Sequence, residues 1–240
     1  MKATSFGAHL VQLTRLRGFN CYLVREDDGF TLIDTGLPGS AAAIVAAAQQ
    51  QGTPIVRIAL THPHQDHVGS LDALHAALPQ AEVSISTRDA RFLRGDMSLD
   101  ADEPQAKLVG SYQKCATAPD RLLVAGDRVG SLEVVAAPGH TPGQVAFFDT
   151  RDRTLIAGDA YYTVGGVTVA STGRWWFPFP TMATWHKPTA LETARRLRAL
   201  NPTQLAVGHG AVVQNPVEAM DAAIRTAVQQ QEAQHGAQRA

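Results

Sequence analysis

Three imidazoles and one carboxylate occur within six consecutive residues, the segment 62–67 (HPHQDH). In an extended segment, residues two apart project to the same side, so His62 and His64 can reach one point together. Asp66 and His67 fall on the turn that follows and can face a second point nearby. Neutral imidazole and carboxylate are ligands of zinc and similar divalent metals. The segment therefore predicts a metal site, although Asp66 taken alone would also suit a helix cap.

A strand and a helix flank this segment and must position it. The run 55–61 is mostly branched and apolar, which is typical of a buried strand. The residues after the segment place apolar side chains on one face of a helix that ends near residue 78, namely Val68, Leu71, Leu74 and Leu78. We therefore expect the polar side chains to lie where a strand ends and a helix begins.

The same arrangement recurs three more times. Apolar strands end at His140 within the segment 138–143 (PGHTPG), at Asp159 after a glycine, and at His209 between two glycines. Glycine beside such a residue permits a short loop and a close approach of the backbone. Five of the nine histidines lie in these four loops, which favours one shared site over histidines scattered on the surface.

The remaining pattern predicts an α/β protein with short strands. Helices are expected over 40–51 and 188–200 and from 215 onward, with a Gln-rich tail that frays from 229. The range 87–120 is expected to be a surface excursion with solvated carboxylates. Further strands are predicted over 9–16, 19–25, 30–33, 82–86, 121–125, 132–136, 145–148, 154–157 and 205–207.

Length and composition restrict the classes of function. A chain of 240 residues suits one α/β domain spanning 1–240. The net charge is −1 without a basic stripe, so we expect a small-molecule substrate and no nucleic-acid partner. No apolar run reaches the length of a membrane span, and the N-terminus lacks the apolar core of a signal peptide. The two cysteines form no disulfide framework. A cytoplasmic location without membrane attachment is therefore expected.

Two features allow two interpretations each. Asp34 ends the strand 30–33, where it could bond local amides in a turn or orient a ligand histidine. The loop 171–185 holds all three tryptophans. It could form an apolar wall over the metal site, or it could join two copies of the chain as a homodimer.

The full set of motifs resembles the metallo-β-lactamase superfamily. The segment 62–67 is similar to its HxHxDH signature, and three later motifs follow in the family's order, with His140 in PGHTPG, Asp159 in AGD and His209 in GHG. The resemblance extends from the turn at 34–36 to the last helix. It implies an αββα sandwich, in which two mixed β-sheets are flanked by helices and the metals lie at one edge between the sheets.

The resemblance also implies two divalent metal ions, with zinc favoured and iron or manganese allowed by the same donors. Paired metals supply a hydroxide near neutral pH that attacks a carbonyl, and Asp66 would orient this nucleophile. The implied metal ligands divide into a first set, a second set and one bridging residue: His62, His64 and His140; Asp66, His67 and His209; and Asp159.

Departures from individual branches narrow the activity. Asp159 stands where one branch of β-lactamases has cysteine, and His64 stands where diiron reductases have glutamate. About thirty residues follow His209, fewer than the C-terminal extension of glyoxalase II requires. Tyr162 lies three residues after Asp159, as in quorum-quenching lactonases, where its hydroxyl would bond the substrate carbonyl. Because Tyr161 is adjacent, the sequence does not show which of the two tyrosines corresponds to the lactonase residue.

These features together predict a zinc-dependent hydrolase of a lactone or carboxylic ester with an apolar part. Three alternatives stay open. They are a thioester hydrolase, a mono-iron dioxygenase of thiols or persulfides, and a scaffold in which the metals only hold loops together. Iron content and oxygen consumption would identify the dioxygenase, whereas normal folding after chelation and no hydrolysis would favour the scaffold.

Overall fold

Two β-sheets pack face to face in the computed structural model, which describes residues 1–173 and 178–239 apart from the side chains of 179–180 and 234–239. Helices cover the outer face of each sheet, and three apolar cores separate the four layers. The predicted αββα sandwich with two mixed sheets is thereby confirmed.

The first sheet has seven strands in chain order. Its first four strands pair antiparallel, and β4 to β7 run parallel. Helices α1 and α3 pack on its outer face. The elements of this half are β1 (Lys2–Phe6), β2 (Leu10–Arg15), β3 (Phe19–Arg25), β4 (Phe30–Ile33), α1 (Ala41–Gln50), β5 (Ile55–Ala59), α2 (Gln65–Val68), α3 (Leu71–Ala77), β6 (Glu82–Ser86), α4 (Ala90–Leu93) and β7 (Arg121–Leu123).

The second sheet has six strands in the order β15-β14-β11-β10-β9-β8, and β12 pairs with β13 in a small separate sheet. Strand β14 runs parallel to β11, and the other pairs are antiparallel. The elements are β8 (Arg128–Val129), β9 (Leu132–Ala136), β10 (Val145–Asp149), β11 (Thr154–Ile156), β12 (Tyr161–Tyr162), β13 (Thr168–Val169), α5 (Phe179–Met182), α6 (Lys187–Ala199), β14 (Gln204–Ala206), β15 (Val213–Gln214) and α7 (Val217–Arg239).

Strand β3 shows why the central strands are apolar on both faces. Successive side chains of a strand point to opposite sides of its sheet. Cys21 and Leu23 therefore lie in the core beneath α1 and α3, whereas Tyr22 and Val24 lie in the core between the two sheets. Strand β3 is therefore buried on both of its faces.

The helical segments differ from the sequence prediction at two places. The single helix expected after the histidine segment is two helices, α2 and α3, separated by Gly69 and Ser70. A β-carbon at Gly69 would stand 2.4 Å from Pro38 Cδ, so the chain bends here against the loop after β4. Helix α7 continues to Arg239, beyond the point where fraying is predicted. Among the described helices, none is long and apolar enough to cross a membrane.

Candidate metal centre

All seven predicted ligands lie at strand ends on one edge of the sandwich. The segment 62–67 follows β5 and includes the first three residues of α2. His140 lies between β9 and β10, Asp159 lies between β11 and β12, and His209 follows β14. The side chains converge from both halves of the chain into three overlapping groups with metal-ligand spacing. Six of the seven residues are buried, and Asp66 is half-buried.

The first group consists of three buried imidazoles, His62, His64 and His140. Their ring centroids are 4.7–4.9 Å apart, and His140 Nε2 lies 3.0 Å from His64 Nδ1. One nitrogen from each ring lies within 4.8 Å of the other two. Three imidazole nitrogens at this spacing can face one metal ion.

The second group combines Asp66, His67 and His209. Asp66 Oδ2 lies 3.2 Å from His209 Nε2 and 3.7 Å from His67 Nε2. Asp159 lies between the two groups, with Oδ2 at 3.1 Å from His209 Nε2 and at 3.5 Å from His140 Nε2. Its other oxygen, Oδ1, lies 3.3 Å from His67 Nε2. The carboxylate of Asp159 can thus reach both groups.

Burial and neighbouring charges shift the pKa values of the imidazoles in opposite directions. Burial lowers the pKa of His64 to about 3 and that of His140 to about 4, so both are neutral, the form that binds metals. Burial opposes the charged form of His209 as well, but Asp159 and Asp66 raise its pKa to about 10. The pKa of Asp66 is lowered by nearby imidazolium groups despite burial. The two carboxylates therefore stabilise positive charge within the cluster.

Buried atoms without partners show that the cluster fits a cation. His62 Nε2, His67 Nε2 and Asp159 Oδ1 have no hydrogen-bond partner among the described residues. Buried polar atoms are normally paired, and a metal ion would pair all three. Five imidazoles with two carboxylates are also a donor set that suits divalent zinc, iron or manganese.

Asp34 contacts the cluster from behind. Its Oδ2 lies 2.8 Å from His67 Nδ1, and its two oxygens accept hydrogen bonds from the backbone N–H and the hydroxyl of Thr61. Thr61 Oγ1 in turn lies 3.0 Å from His62 Nδ1. Such partners hold the orientation of a ligand imidazole. Of the two interpretations left open by the sequence, the structure therefore supports the carboxylate that orients a ligand.

Two glycines allow the backbone to contact the ligands directly. A β-carbon at Gly208 would stand 2.1 Å from Asp159 Oδ1, and one at Gly110 would stand 2.4 Å from His64 Nε2. Gly110 also has a φ of +99°, in the region that favours glycine. The loop that carries His209 and the surface excursion after α4 can approach this closely only because these residues lack side chains.

A polar network from β3 holds the loop that carries His209. Asn20 Nδ2 donates to the carbonyls of Val207 at 2.9 Å and of Gly210 at 2.7 Å. The hydroxyl of Tyr22 donates to the carbonyl of Val207 at 2.6 Å. Sequence reasoning missed this network, because both residues fall within an ordinary strand pattern. It positions a ligand of the second half by contacts from the first half.

A cavity of about 500 Å³ opens onto the cluster. Two of its polar lining residues, Gln65 and Ser111, carry no motif in the sequence and were not predicted as site residues. A hydrogen bond from the Gln65 N–H to the Ser111 carbonyl, 2.8 Å long, joins them. The other residues that line the cavity are ligands or small and apolar side chains: Phe19, Leu37, His64, Asp66, Gly110, His140, Asp159, Met182, Ala183 and His209.

Tyr162 is the one predicted site residue that the structure places outside the cluster of predicted ligands. It is fully buried and is not among the residues that line the cavity. Its hydroxyl donates to the carbonyl of Thr172 and lies 3.5 Å from Thr181 Oγ1. Tyr161 is also buried and donates to the carbonyl of Ala194. A contact between Tyr162 and substrate therefore stays a prediction.

The tryptophan-rich loop is described in part. Trp175 and Trp176 lie outside the described residues. Met182 and Ala183, near the end of the loop, line the cavity, as expected of an apolar wall. Trp185 is buried, and its indole N–H donates to the carbonyl of Ala106 at 3.0 Å. This bond joins the loop to the excursion that carries Ser111.

Comparison with known proteins agrees with this geometry. The model of the metallo-beta-lactamase superfamily matches residues 15–209. Uncharacterized protein YobT of Bacillus subtilis is 49% identical over 209 residues, which cover 87% of this chain and 90% of YobT. The probable metallo-hydrolase YflN of the same species is 31% identical over 80% of each chain. The solved structure of TTHA1623 in a di-iron-bound form is 29% identical, with a TM-score of 0.64 over 88% of this chain and 97% of that one.

The matched range 15–209 contains all seven residues of the cluster. Its extent, the αββα architecture and the identity to YflN lead to the same conclusion. This chain belongs to the metallo-beta-lactamase superfamily.

Proposed function

We propose that this protein is a hydrolase with two divalent metal ions, which cleaves a lactone or carboxylic ester that has an apolar part. The observation that carries the proposal is the convergence of five imidazoles and two carboxylates at the base of a largely apolar cavity. The likeness to the probable metallo-hydrolase YflN supports hydrolysis as the class of reaction.

The proposed ligand sets follow the groups in the structure. Bound ions would polarise a carbonyl and supply hydroxide near neutral pH. We propose zinc in both positions, and the di-iron form of TTHA1623 makes iron the first alternative. The sets are His62, His64 and His140 for one ion, Asp66, His67 and His209 for the other, and Asp159 shared between them.

Asp66 is the proposed catalytic carboxylate. It is half-buried, lines the cavity, and keeps one oxygen 3.2 Å from His209 Nε2. The neighbouring imidazolium groups lower its pKa and keep it ionised at neutral pH, so its carboxylate can accept a hydrogen bond from the attacking water and orient it. Removal of this charge should lower turnover even where a metal ion is still bound.

The cavity walls provide the proposed selectivity. Phe19, Leu37 and Met182 offer apolar surface to an acyl chain and exclude water from the reacting carbonyl. Gln65 and Ser111 offer neutral polar groups beside them. A lactone or ester is uncharged and has one polar end, so it matches a cavity with apolar walls and a few neutral polar groups. A thioester with an apolar acyl group is the nearest alternative.

A hydrolysis panel tests the proposal. The zinc-loaded protein is titrated in a pH-stat with long- and short-chain acyl lactones, simple esters, thioesters and a β-lactam, with chelated protein as the control. We expect the fastest turnover with a long-chain lactone or ester. Turnover should fall by at least about 100-fold in His62→Ala and in Asp66→Asn, and it should be unchanged in the matched variant His75→Ala.

The panel also separates the alternatives. Faster turnover of thioesters than of lactones and esters would identify a thioester as the substrate class. Loss of lactone turnover in Tyr162→Phe would support a role for the Tyr162 hydroxyl. Full turnover in His62→Ala would refute the site. If no ester is hydrolysed and iron-loaded protein consumes oxygen when a persulfide is added, the dioxygenase would be favoured instead.

The assembly and location of the protein are proposed from the sequence. A homodimer through the loop 171–185 is consistent with Met182, which is 69% exposed near the end of that loop. A cytoplasmic location and a small-molecule substrate complete the proposal.

A further inference from the structure

A buried carboxylate outside the ligand set contacts the loop that carries His140. Asp89 precedes α4, is 0% exposed, and donates its own N–H to Ser86 Oγ at 3.1 Å. Its carboxylate points to the segment 138–143 of the other half of the chain. Sequence reasoning assigned Asp89 no role, because it begins a polar excursion with no motif.

Both carboxylate oxygens of Asp89 accept hydrogen bonds from that loop. The N–H of Gly143 donates to Oδ1 at 2.7 Å, and the hydroxyl of Thr141 donates to Oδ2 at 2.5 Å. Thr141 is fully buried and follows His140 directly. Two hydrogen bonds to residues one and three positions after a predicted ligand restrict where that ligand can lie.

The contact is close enough to need glycine. A β-carbon at Gly143 would stand 2.6 Å from Asp89 Oδ1 and 2.7 Å from the Asp89 nitrogen. On the opposite flank, the hydroxyl of Thr193 donates to the carbonyl of Pro138 at 2.6 Å. The loop is therefore held on one side by helix α6 and on the other side by Asp89.

The carboxylate of Asp89 accepts no other hydrogen bond in the described part of the structure. The neighbouring Arg88 pairs with Glu103 at 2.6 and 2.7 Å, and it makes no described hydrogen bond to Asp89. An unpaired buried carboxylate is costly, so its two bonds to the loop are strongly favoured. Loss of the carboxylate would leave the Thr141 hydroxyl and the Gly143 N–H without their acceptor and would release this side of the loop.

We propose that Asp89 is a positioning residue of the metal centre, which anchors Thr141 and Gly143 and so keeps His140 Nε2 beside His64 Nδ1. The proposal rests on the proposed function in so far as it takes His140 to be a metal ligand. It predicts that one of the two metal positions, the one served by His62, His64 and His140, depends on a residue that touches no metal.

The test compares Asp89→Ala with Asp72→Ala. Asp72 accepts the same kind of bonds, from the N–H groups of Ala116 and Thr117 and from the Thr117 hydroxyl at 2.7–3.0 Å, but it contacts no ligand loop. Titration with Co²⁺ alone reports the affinity of each position and the absorption spectrum of the bound ion. We expect Asp89→Ala to weaken one position by about 10- to 100-fold and to alter its spectrum. Asp72→Ala should retain both positions.

A second variant covers the case in which Asp89→Ala does not fold. Thr141→Val removes one of the two bonds at nearly constant volume and should weaken the same position by a smaller factor. Wild-type affinity and spectrum for both ions in folded Asp89→Ala, or in Thr141→Val, would overturn the proposal and leave Asp89 a purely structural residue.

The readout is metal binding, so it is independent of the substrate panel. Wild-type protein that binds two ions but hydrolyses nothing would refute the proposed function. If Asp89→Ala still loses one ion in that protein, the positioning role stands.

Discussion

Replacement of Gly208 by alanine is expected to disrupt the metal centre while the fold is kept. A β-carbon at this position would stand 2.1 Å from Asp159 Oδ1 and 2.5 Å from His67 Cε1. Its backbone φ lies outside the left-handed range, so alanine adds no local strain of its own. The perturbation is therefore one methyl group inserted between two ligands of the cluster.

The size of the effect follows from these distances. Ordinary contact begins near 3.4 Å, so Asp159 Oδ1 would have to withdraw by more than about 1 Å. Metal–ligand distances tolerate only about 0.2 Å, and a carboxylate displaced this far no longer reaches an ion in the same place. We expect metal affinity to fall by at least about 100-fold, since displacement of indirect partners already costs 10- to 100-fold. Overpacking should cost about 1–3 kcal/mol of folding free energy.

The assay pairs metal affinity with thermal unfolding. Competition against a chelator of known affinity measures Zn²⁺ binding, and unfolding is followed in the presence of chelator. Each kcal/mol should lower Tm by about 2–4 °C in a chain of this length. Gly18→Ala is the matched control, because a β-carbon there meets nothing within 4 Å. It should leave affinity and Tm close to those of the wild type.

One result would refute this reasoning. If folded Gly208→Ala bound two zinc ions with wild-type affinity, the loop would have moved instead of the carboxylate. The contact between Gly208 and Asp159 would then not determine where that ligand lies.

Two other perturbations test the surroundings of the ligands. Asp34→Asn should lower metal affinity by about 10- to 100-fold, because an amide no longer presents two acceptor oxygens to His67 and its neighbours. Competition with a chelator measures this affinity, and an unchanged value would contradict the role of Asp34. For metal-free protein, burial opposes the charge of His209 but two carboxylates raise its pKa from 6.5 to about 10, so the folded chain keeps a proton that the unfolded chain releases. The free energy of unfolding should therefore fall as pH rises from about 6.5 to 10. Urea titrations in chelator measure this trend, and a rise over that range would exclude it.

Much of the fold and of the residues that form the cluster is local in sequence and could be predicted from it. Strands β3 and β4 have the predicted bounds, because each is a short apolar run that ends at turn residues. The segment 62–67 and the three later loops each combine a strand end with an imidazole or a carboxylate. The convergence of these loops follows once two sheets share an edge.

What the sequence could not predict depends on distant partners. Asn20 bonds the carbonyl of a residue 187 positions away, and Asp89 bonds an N–H 54 positions away, so no spacing pattern contains them. The break between α2 and α3 arises because Gly69 packs on Pro38, which is a tertiary contact. Strand β1 was also missed, since its mostly exposed side chains lack an apolar run.

The division of the ligands between the two halves sets an order of events during synthesis. The segment 62–67 is synthesised well before His209, which is the last residue of the cluster in the sequence. Asn20 and Tyr22 then have to meet the loop around this residue before the seven side chains face one another. The proposed pair of ions can thus be bound in full only after the two halves have docked, and the metal content of a preparation should report the fraction of molecules in which they have joined correctly.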